Sequence, residues 1–324
     1  MRSGGEAAAP LAERHDQLVT LGESGDVRSL VTALRQQGND YLHRGETTLA
    51  AYRFGLSLEI ARTVGWTEGV ADATNCLATI AQRRGELDEA ERLYNEAALL
   101  AERTGQRRLA GFVQQNLGVL ACIRGDWDAA LACYRLSLSA FEAEQDLGAV
   151  ALILNNLGKL HGDRGEPILA DRAFQRAIEL ARRLGDSLVE CTVEQNRAEL
   201  LFGLRKLDEA ALACERALRL ARERRDSLRT AETLKIRGKL ERERGDHDRA
   251  IATLEEAREL ARVTEDAHLA AELICEIGEV WRRRGERVLA GTMWTEALAA
   301  FERLGALPGA ADAGVRLRSI GGGR

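Results

Sequence analysis

The chain has 324 residues, 45% of them hydrophobic, but only 3 prolines and 4% aromatic residues, a composition that favours an elongated helical array over two compact mixed domains. Its 46 basic and 51 acidic side chains leave a formal net charge of -5, which supplies no global field for nucleic acid or anionic lipid, so neither nucleic acid nor membrane is an expected partner.

Residues 1 to 26 read as an N-terminal extension. Glu13, Arg14, His15 and Asp16 interrupt its apolar residues before a secretory core can accumulate. Nothing later approaches the roughly 18 uncharged apolar residues of a membrane span, so a cytoplasmic location is expected. Residues 11 to 22 are expected to pack as a short capping helix over the chain from residue 27 onward. The six cysteines, at 76, 122, 133, 191, 214 and 275, form no CxxC pair and read as buried, reduced thiols.

Residues 27 to 306 repeat. Gly45, Gly85, Gly125, Gly165, Gly245 and Gly285 stand forty residues apart or at multiples of it, with Arg205 in the missing place. Seven residues earlier the side chain is always small: Gly38, Ala78, Gly118, Gly158, Ala198, Gly238 and Gly278. Five residues later stands Ala50, Ala90, Ala130, Ala170, Ala210, Ala250 or Ala290. A larger residue comes four places on, on the same helical face, namely Phe54, Tyr94, Tyr134, Phe174, Cys214, Leu254 and Trp294. Small residues let two antiparallel helices approach, and the larger neighbours fill the remaining space.

A second glycine series, Gly65, Gly105, Gly185 and Gly305, marks the end of each second helix. Asp146, Asp186, Asp226 and Asp266 stand just beyond the corresponding places as N-caps, and Pro167 suits a first helical turn. Each unit is therefore a hairpin of two helices of roughly 17 residues, about 25 Å long. One hairpin cannot bury both of its faces, so seven should stack into an all-α right-handed superhelix. Residues 307 to 324 read as a short C-terminal cap, a helix over 309 to 319, and a flexible glycine-rich tail.

This pattern, clearest in NLGVLACIRGDWDAALACYRLSLSA at 116 to 140 and NLGKLHGDRGEPILADRAFQRAIEL at 156 to 180, resembles the tetratricopeptide repeat. The forty-residue unit is similar to the longer-helix versions in kinesin light chains, bacterial peptide-sensing regulators of the Rap type and sensor regions of bacterial transcriptional activators. The sequence shows no extended N-terminal bundle of the Rap type and no nucleotide-binding or helix-turn-helix segment. The resemblance implies a protein or extended peptide bound in a concave groove lined by the first helix of each hairpin.

In such a groove the resemblance places Gln36, Cys76, Asn116, Asn156, Asn196, Ile236 and Glu276. The three consecutive asparagines form a ladder, each able to donate to and accept from a peptide backbone; hydrogen bonding between adjacent helices is the competing reading. Asn75 and Asn155 lie beside it. Phe112, Val119, Ile123 and Leu152 are expected to form an apolar floor, Lys159 lies on the same stretch, and Lys235 and Lys239 alternate with glutamates farther along, as a recognition surface or a solvated face. Arg35 and Asn39 match the first pair of a terminal-carboxylate clamp, but Cys76, Phe112 and Asn116 replace its remaining members, so no clamp is expected.

Catalysis is not expected. The five histidines are scattered, and no HExxH, GxSxG or GxxxxGK[ST] motif occurs. No cofactor or metal is called for. The leading expectation is a scaffold or adaptor; the alternative is a regulatory sensor module of a bacterial signalling or transcription-control system that changes partner binding on taking up a peptide or small molecule. Self-association through the last hairpin is compatible with its apolar residues.

Overall fold

The structure is a computed structural model that describes residues 25 to 321, and the described residues form fifteen α-helices and no strand. In chain order they are α1 (Val27–His43), α2 (Thr47–Thr63), α3 (Thr67–Arg83), α4 (Leu87–Thr104), α5 (Arg107–Ile123), α6 (Trp127–Ala143), α7 (Leu147–Asp163) and α8 (Pro167–Leu184). Beyond them lie α9 (Ser187–Gly203), α10 (Leu207–Glu223), α11 (Ser227–Glu243), α12 (His247–Val263), α13 (Ala267–Arg284), α14 (Arg287–Arg303) and α15 (Leu307–Gly321). The capping helix expected at 11 to 22 lies outside the described residues.

The chain divides inside α7, between Leu160 and His161, into two compact units. In the first, α1 packs on α2, α3 on α4 and α5 on α6. Adjacent first helices also touch, α1 with α3 and α3 with α5. The second unit has the same plan, with pairs α9–α10, α11–α12 and α13–α14, and first-helix contacts α9–α11 and α11–α13. Its end is closed by α15, which packs on α14 and buries Ala313 in the cluster of Trp294 and Phe301.

All helix junctions from α1 onward close in the same way, every twenty residues. A residue with left-handed φ comes after the helix, and the next N–H reaches back five residues, as in Trp66 to Ala61 at 2.9 Å, Gln106 to Ala101 at 2.9 Å and Asp226 to Ala221 at 3.0 Å. Glycine usually supplies that φ. Gln145, Arg205, Arg225 and Glu265 nevertheless adopt it, at φ 53°, 61°, 55° and 57°. A side chain there costs about 1–2 kcal/mol, so packing of the helices on either side imposes the turn. Six aspartates then cap the next helices: Asp26, Asp126, Asp146, Asp186, Asp226 and Asp266 each accept a backbone N–H two or three residues ahead, at 2.8 to 3.1 Å. Each cap is worth about 1 kcal/mol.

The small and large columns meet as their spacing requires. A Cβ on Gly118 would lie 2.5 Å from the Tyr134 ring, one on Gly238 2.5 Å from Leu254 and one on Gly278 2.6 Å from Trp294. Where serine stands in a second-helix column its hydroxyl is satisfied, Ser57 donating to the Val31 carbonyl at 3.0 Å and Ser137 to that of Gly111 at 2.8 Å. Cys191, Cys214 and Cys275 are buried and Cys76, Cys122 and Cys133 half-buried. Burial pushes the Cys76 and Cys214 thiols up to about 12 and Cys275 to about 11, which keeps them protonated and unreactive.

Candidate functional site

The first helices present one row of side chains in each unit, and a bridge recurs along them. The residue three before the small one pairs with the residue six before the small one of the next hairpin. Arg35 meets Asp72 at 3.9 Å, Gln195 donates to Glu232 at 3.3 Å, and Lys235 meets Glu272 at 2.6 Å. Burial raises the Asp72 carboxyl against the pull of Arg35.

Within the first unit the bridge is interrupted from hairpin two onward. Its first member there is Asn75 and then Gln115, and the acid is replaced by Phe112 and then Leu152. With no acid to meet, Asn75 turns to Asn116, whose Nδ2 donates to Asn75 Oδ1 at 3.2 Å. The Gln115 Oε1 is buried without a hydrogen-bond partner. Phe112 is half-buried, edge-on to Phe141 with centroids 4.9 Å apart and with the Arg108 guanidinium over its ring at 5.3 Å.

Of the other residues singled out from the sequence, Val119 and Asn156 are half-buried, Lys159 is exposed, and Ile123 and Leu152 are exposed by 53% and 39%. Leu152, Asn156 and Lys159 share one face of α7. Asn155 stands in the same column as Asn75 and Gln115 and is buried, at 8% exposure. Ile236 is likewise core, at 1% exposure. Within the asparagine ladder, Asn116 pairs diagonally with Asn75 of the preceding hairpin, a bond that uses one group on each amide.

Asn196, Lys235 and Lys239 belong to the second unit, whose row is ionic. Lys235 is held by Glu272, and Lys239 lies over the Phe202 ring at 4.9 Å. The nearly buried Arg242 pairs with Glu276 at 2.5 Å and Glu243 at 3.6 Å, and Arg283 reaches Glu243 at 3.2 Å. Burial raises the Glu243 carboxyl, but Arg205, Arg283 and Arg242 outweigh it and hold it below the usual range. His161 is half-buried and bonded to Glu166 at 2.6 Å.

Sequence reading missed Gln115 and the bridge itself; comparing the two bridging columns, acid against Phe112 and Leu152, would have found both. It also missed a charged pocket of about 380 Å³ in the second unit, lined by residues of α8, α9 and α10. Among the described residues no group of three or more His, Cys, Asp or Glu could hold a metal, and no helix is long and apolar enough to cross a membrane.

Comparison with known proteins agrees with this architecture. No protein of curated function matches the chain in sequence. The apo quorum sensor NprR from B. thuringiensis superposes with a TM-score of 0.72 at 15% identity, covering 89% of this chain and 81% of that one. The Rap conjugation gene regulator of the plasmid pLS20, in complex with the Phr* peptide, gives 0.67 at 14% identity over 94% and 80%. BtubC from P. vanneervenii gives 0.59 at 23% identity over 66% and 91%. At these identities the likeness is one of fold. The family model of the tetratricopeptide repeat matches residues 69–143, 149–223 and 189–262. With more than half of the chain matched, and with its small, glycine, alanine and aromatic columns packed against one another, this chain belongs to the tetratricopeptide repeat family.

Proposed function

We propose that the protein is a cytoplasmic adaptor that binds an extended peptide, or an extended segment of a protein, along the first-helix row of the unit ending at Leu160. The observation that carries this reading is the interrupted bridge: where other hairpins spend their polar side chains on one another, this stretch offers the Asn75–Asn116 amides and Asn156 beside exposed Leu152 and Ile123. Amides satisfy a peptide backbone irrespective of its sequence, and the apolar side chains take up the ligand's own. The helices are already ordered, so little conformational freedom is lost on the protein side. The pLS20 regulator, described with a bound peptide, has the same fold, which supports the mode of binding and leaves the ligand to be identified.

The test compares the intact chain with an Asn116→Ala, Asn156→Ala, Leu152→Ser variant of unchanged helicity and melting in affinity capture from native cytosol, followed by titration of the enriched partner. Loss of the partner from the variant is the expected result; equal enrichment and equal affinity would reject the row as the binding surface. A regulatory sensor is the second reading, favoured by the fold shared with the quorum sensor NprR. It requires that ligand change both molecular dimensions by scattering and affinity for a second partner; unchanged dimensions at saturating ligand would discard it.

A further inference from the structure

The pocket of about 380 Å³ lies on the opposite side of α9 from Asn196, between α8 and α10. Its floor is Glu194, a side chain with 0% exposure at a repeat position that is neutral in the other hairpins: Leu34, Thr74, Gln114, Leu154, Leu234 and Ile274. A lone buried acid in an otherwise neutral column is a departure from the packing rule, of the kind that marks functional positions. One carboxylate oxygen, Oε1, accepts from Arg182 at 2.8 Å and lies 3.5 Å from Arg216. The other, Oε2, is buried without a hydrogen-bond partner.

Around this acceptor the pocket is rich in donors. Arg182, Arg183, Arg197 and Arg216 line it together with Glu179, Gln175 and Ile178. Arg182 is also held by Glu190 at 2.7 Å and Arg197 by Asp171 at 2.6 Å. Each guanidinium carries five N–H groups, and these bonds use only a few of them. The lining holds four arginines and two glutamates, Glu179 and Glu194, and the charges come level only with Glu190 and Asp171, which hold Arg182 and Arg197 from outside the pocket. A dianion or a simple cation would upset that balance. A ligand bearing one carboxylate and one ammonium would preserve it. The carboxylate suits the spare guanidinium donors as a bidentate partner, the ammonium supplies the donor that Glu194 Oε2 lacks, and Ile178 with the arginine stems offers an apolar wall to a side chain.

We infer that this pocket binds a small zwitterion, a free α-amino acid, with Arg182, Arg183 and Arg216 on its carboxylate and Glu194 on its ammonium. The site is separate from the first-helix row and does not depend on the peptide-binding reading.

The experiment titrates the full chain with each of the twenty proteinogenic L-amino acids by thermal shift and calorimetry, then repeats the best binder as its N-acetyl and C-amide forms. One amino acid should bind with one-to-one stoichiometry, and each blocked form should bind at least about tenfold more weakly, a factor equal to the loss of one modest interaction. Glu194→Leu, which installs the residue found at this position in three other hairpins, and the surface change Arg216→Gln should both abolish binding with the fold intact, whereas Asn116→Ala should leave it unchanged. Absence of binding by all twenty, equal binding of the N-acetyl form, or retained binding by Glu194→Leu would each overturn the proposal. Because Asn116→Ala is carried in parallel, failure of this site and failure of the peptide-binding row are read separately.

Discussion

The two units share a backbone plan and differ in what their first helices present. In the first, the row passes from the Arg35–Asp72 pair to amides and apolar side chains at Asn75, Phe112, Asn116 and Leu152. In the second it is crossed by Gln195–Glu232, Lys235–Glu272 and the arginine–glutamate pairs around Arg242. The difference teaches that a repeat scaffold can hold the same helix spacing with either kind of row, because the spacing is fixed on the other side of each helix by the small and large columns. A row whose charges are paired internally has less to offer a ligand, since binding would have to break those pairs. That contrast is the reason for proposing the amide and apolar stretch as the binding surface.

The heaviest blow to this comparison falls on the shared columns. Trp294→Ala and its counterpart Tyr134→Ala should each destabilise by about 3–5 kcal/mol, measured by urea unfolding, with loss of amide protection centred on α13–α15 for the first and α5–α6 for the second. If only one position were sensitive, the columns would not be equivalent supports. Next comes Arg242→Ala, which takes from Glu276 its nearest cation while leaving Glu243 to Arg205 and Arg283, and should cost about 3 kcal/mol. The amide counterpart, Asn116→Ala, should cost about 1 kcal/mol or less. Equal costs would erase the distinction between the two rows.

Glu194→Leu sharpens the contrast through pH. Burial raises the Glu194 carboxyl, although Arg216, Arg182 and Arg197 draw it down. The native state therefore keeps a proton that the unfolded chain has released, and this residue's contribution to stability falls as pH rises from the ordinary glutamate range through the raised native value. The leucine variant should be about 1–2 kcal/mol more stable at neutral pH and should show a flatter dependence of the urea midpoint from the ordinary glutamate range up through the raised native value. An unchanged slope would mean that the carboxyl titrates alike in both states. The smallest effects belong to the turns. Gln145→Gly in the first unit and Arg225→Gly in the second should each raise stability by about 1 kcal/mol, by relieving a side chain held at left-handed φ; urea midpoints that stay put or fall would show that the turns carry no strain.

Much of this was legible in the residues themselves. The hairpins, their lengths, the close contacts at Gly118 and Gly238 and the caps at Asp186, Asp226 and Asp266 arise from local chemistry repeated at a fixed interval, and repetition makes a weak local signal unmistakable. The candidate row was legible only in part. Asn116, Phe112 and Leu152 were placed on it, but the burial of Asn155, in the same column as Asn75, depends on packing that spacing does not show. Neither the Asn75–Asn116 bond nor the orphaned Gln115 oxygen could be read from spacing within one helix, since both depend on the neighbouring hairpin.

What the sequence by itself determined is therefore the repeating unit: helix length, turn position and the small and large columns, all set by interactions within about twenty residues. What only the tertiary structure decided is the pairing between units. The left-handed turns at Gln145, Arg205, Arg225 and Glu265, the choice of Arg182 and Arg216 as companions of a buried Glu194, and the diagonal step from Asn75 to Asn116 arise when residues far apart in sequence are brought together. Backbone and side-chain groups withdrawn from water there must be satisfied by whatever the next helix supplies.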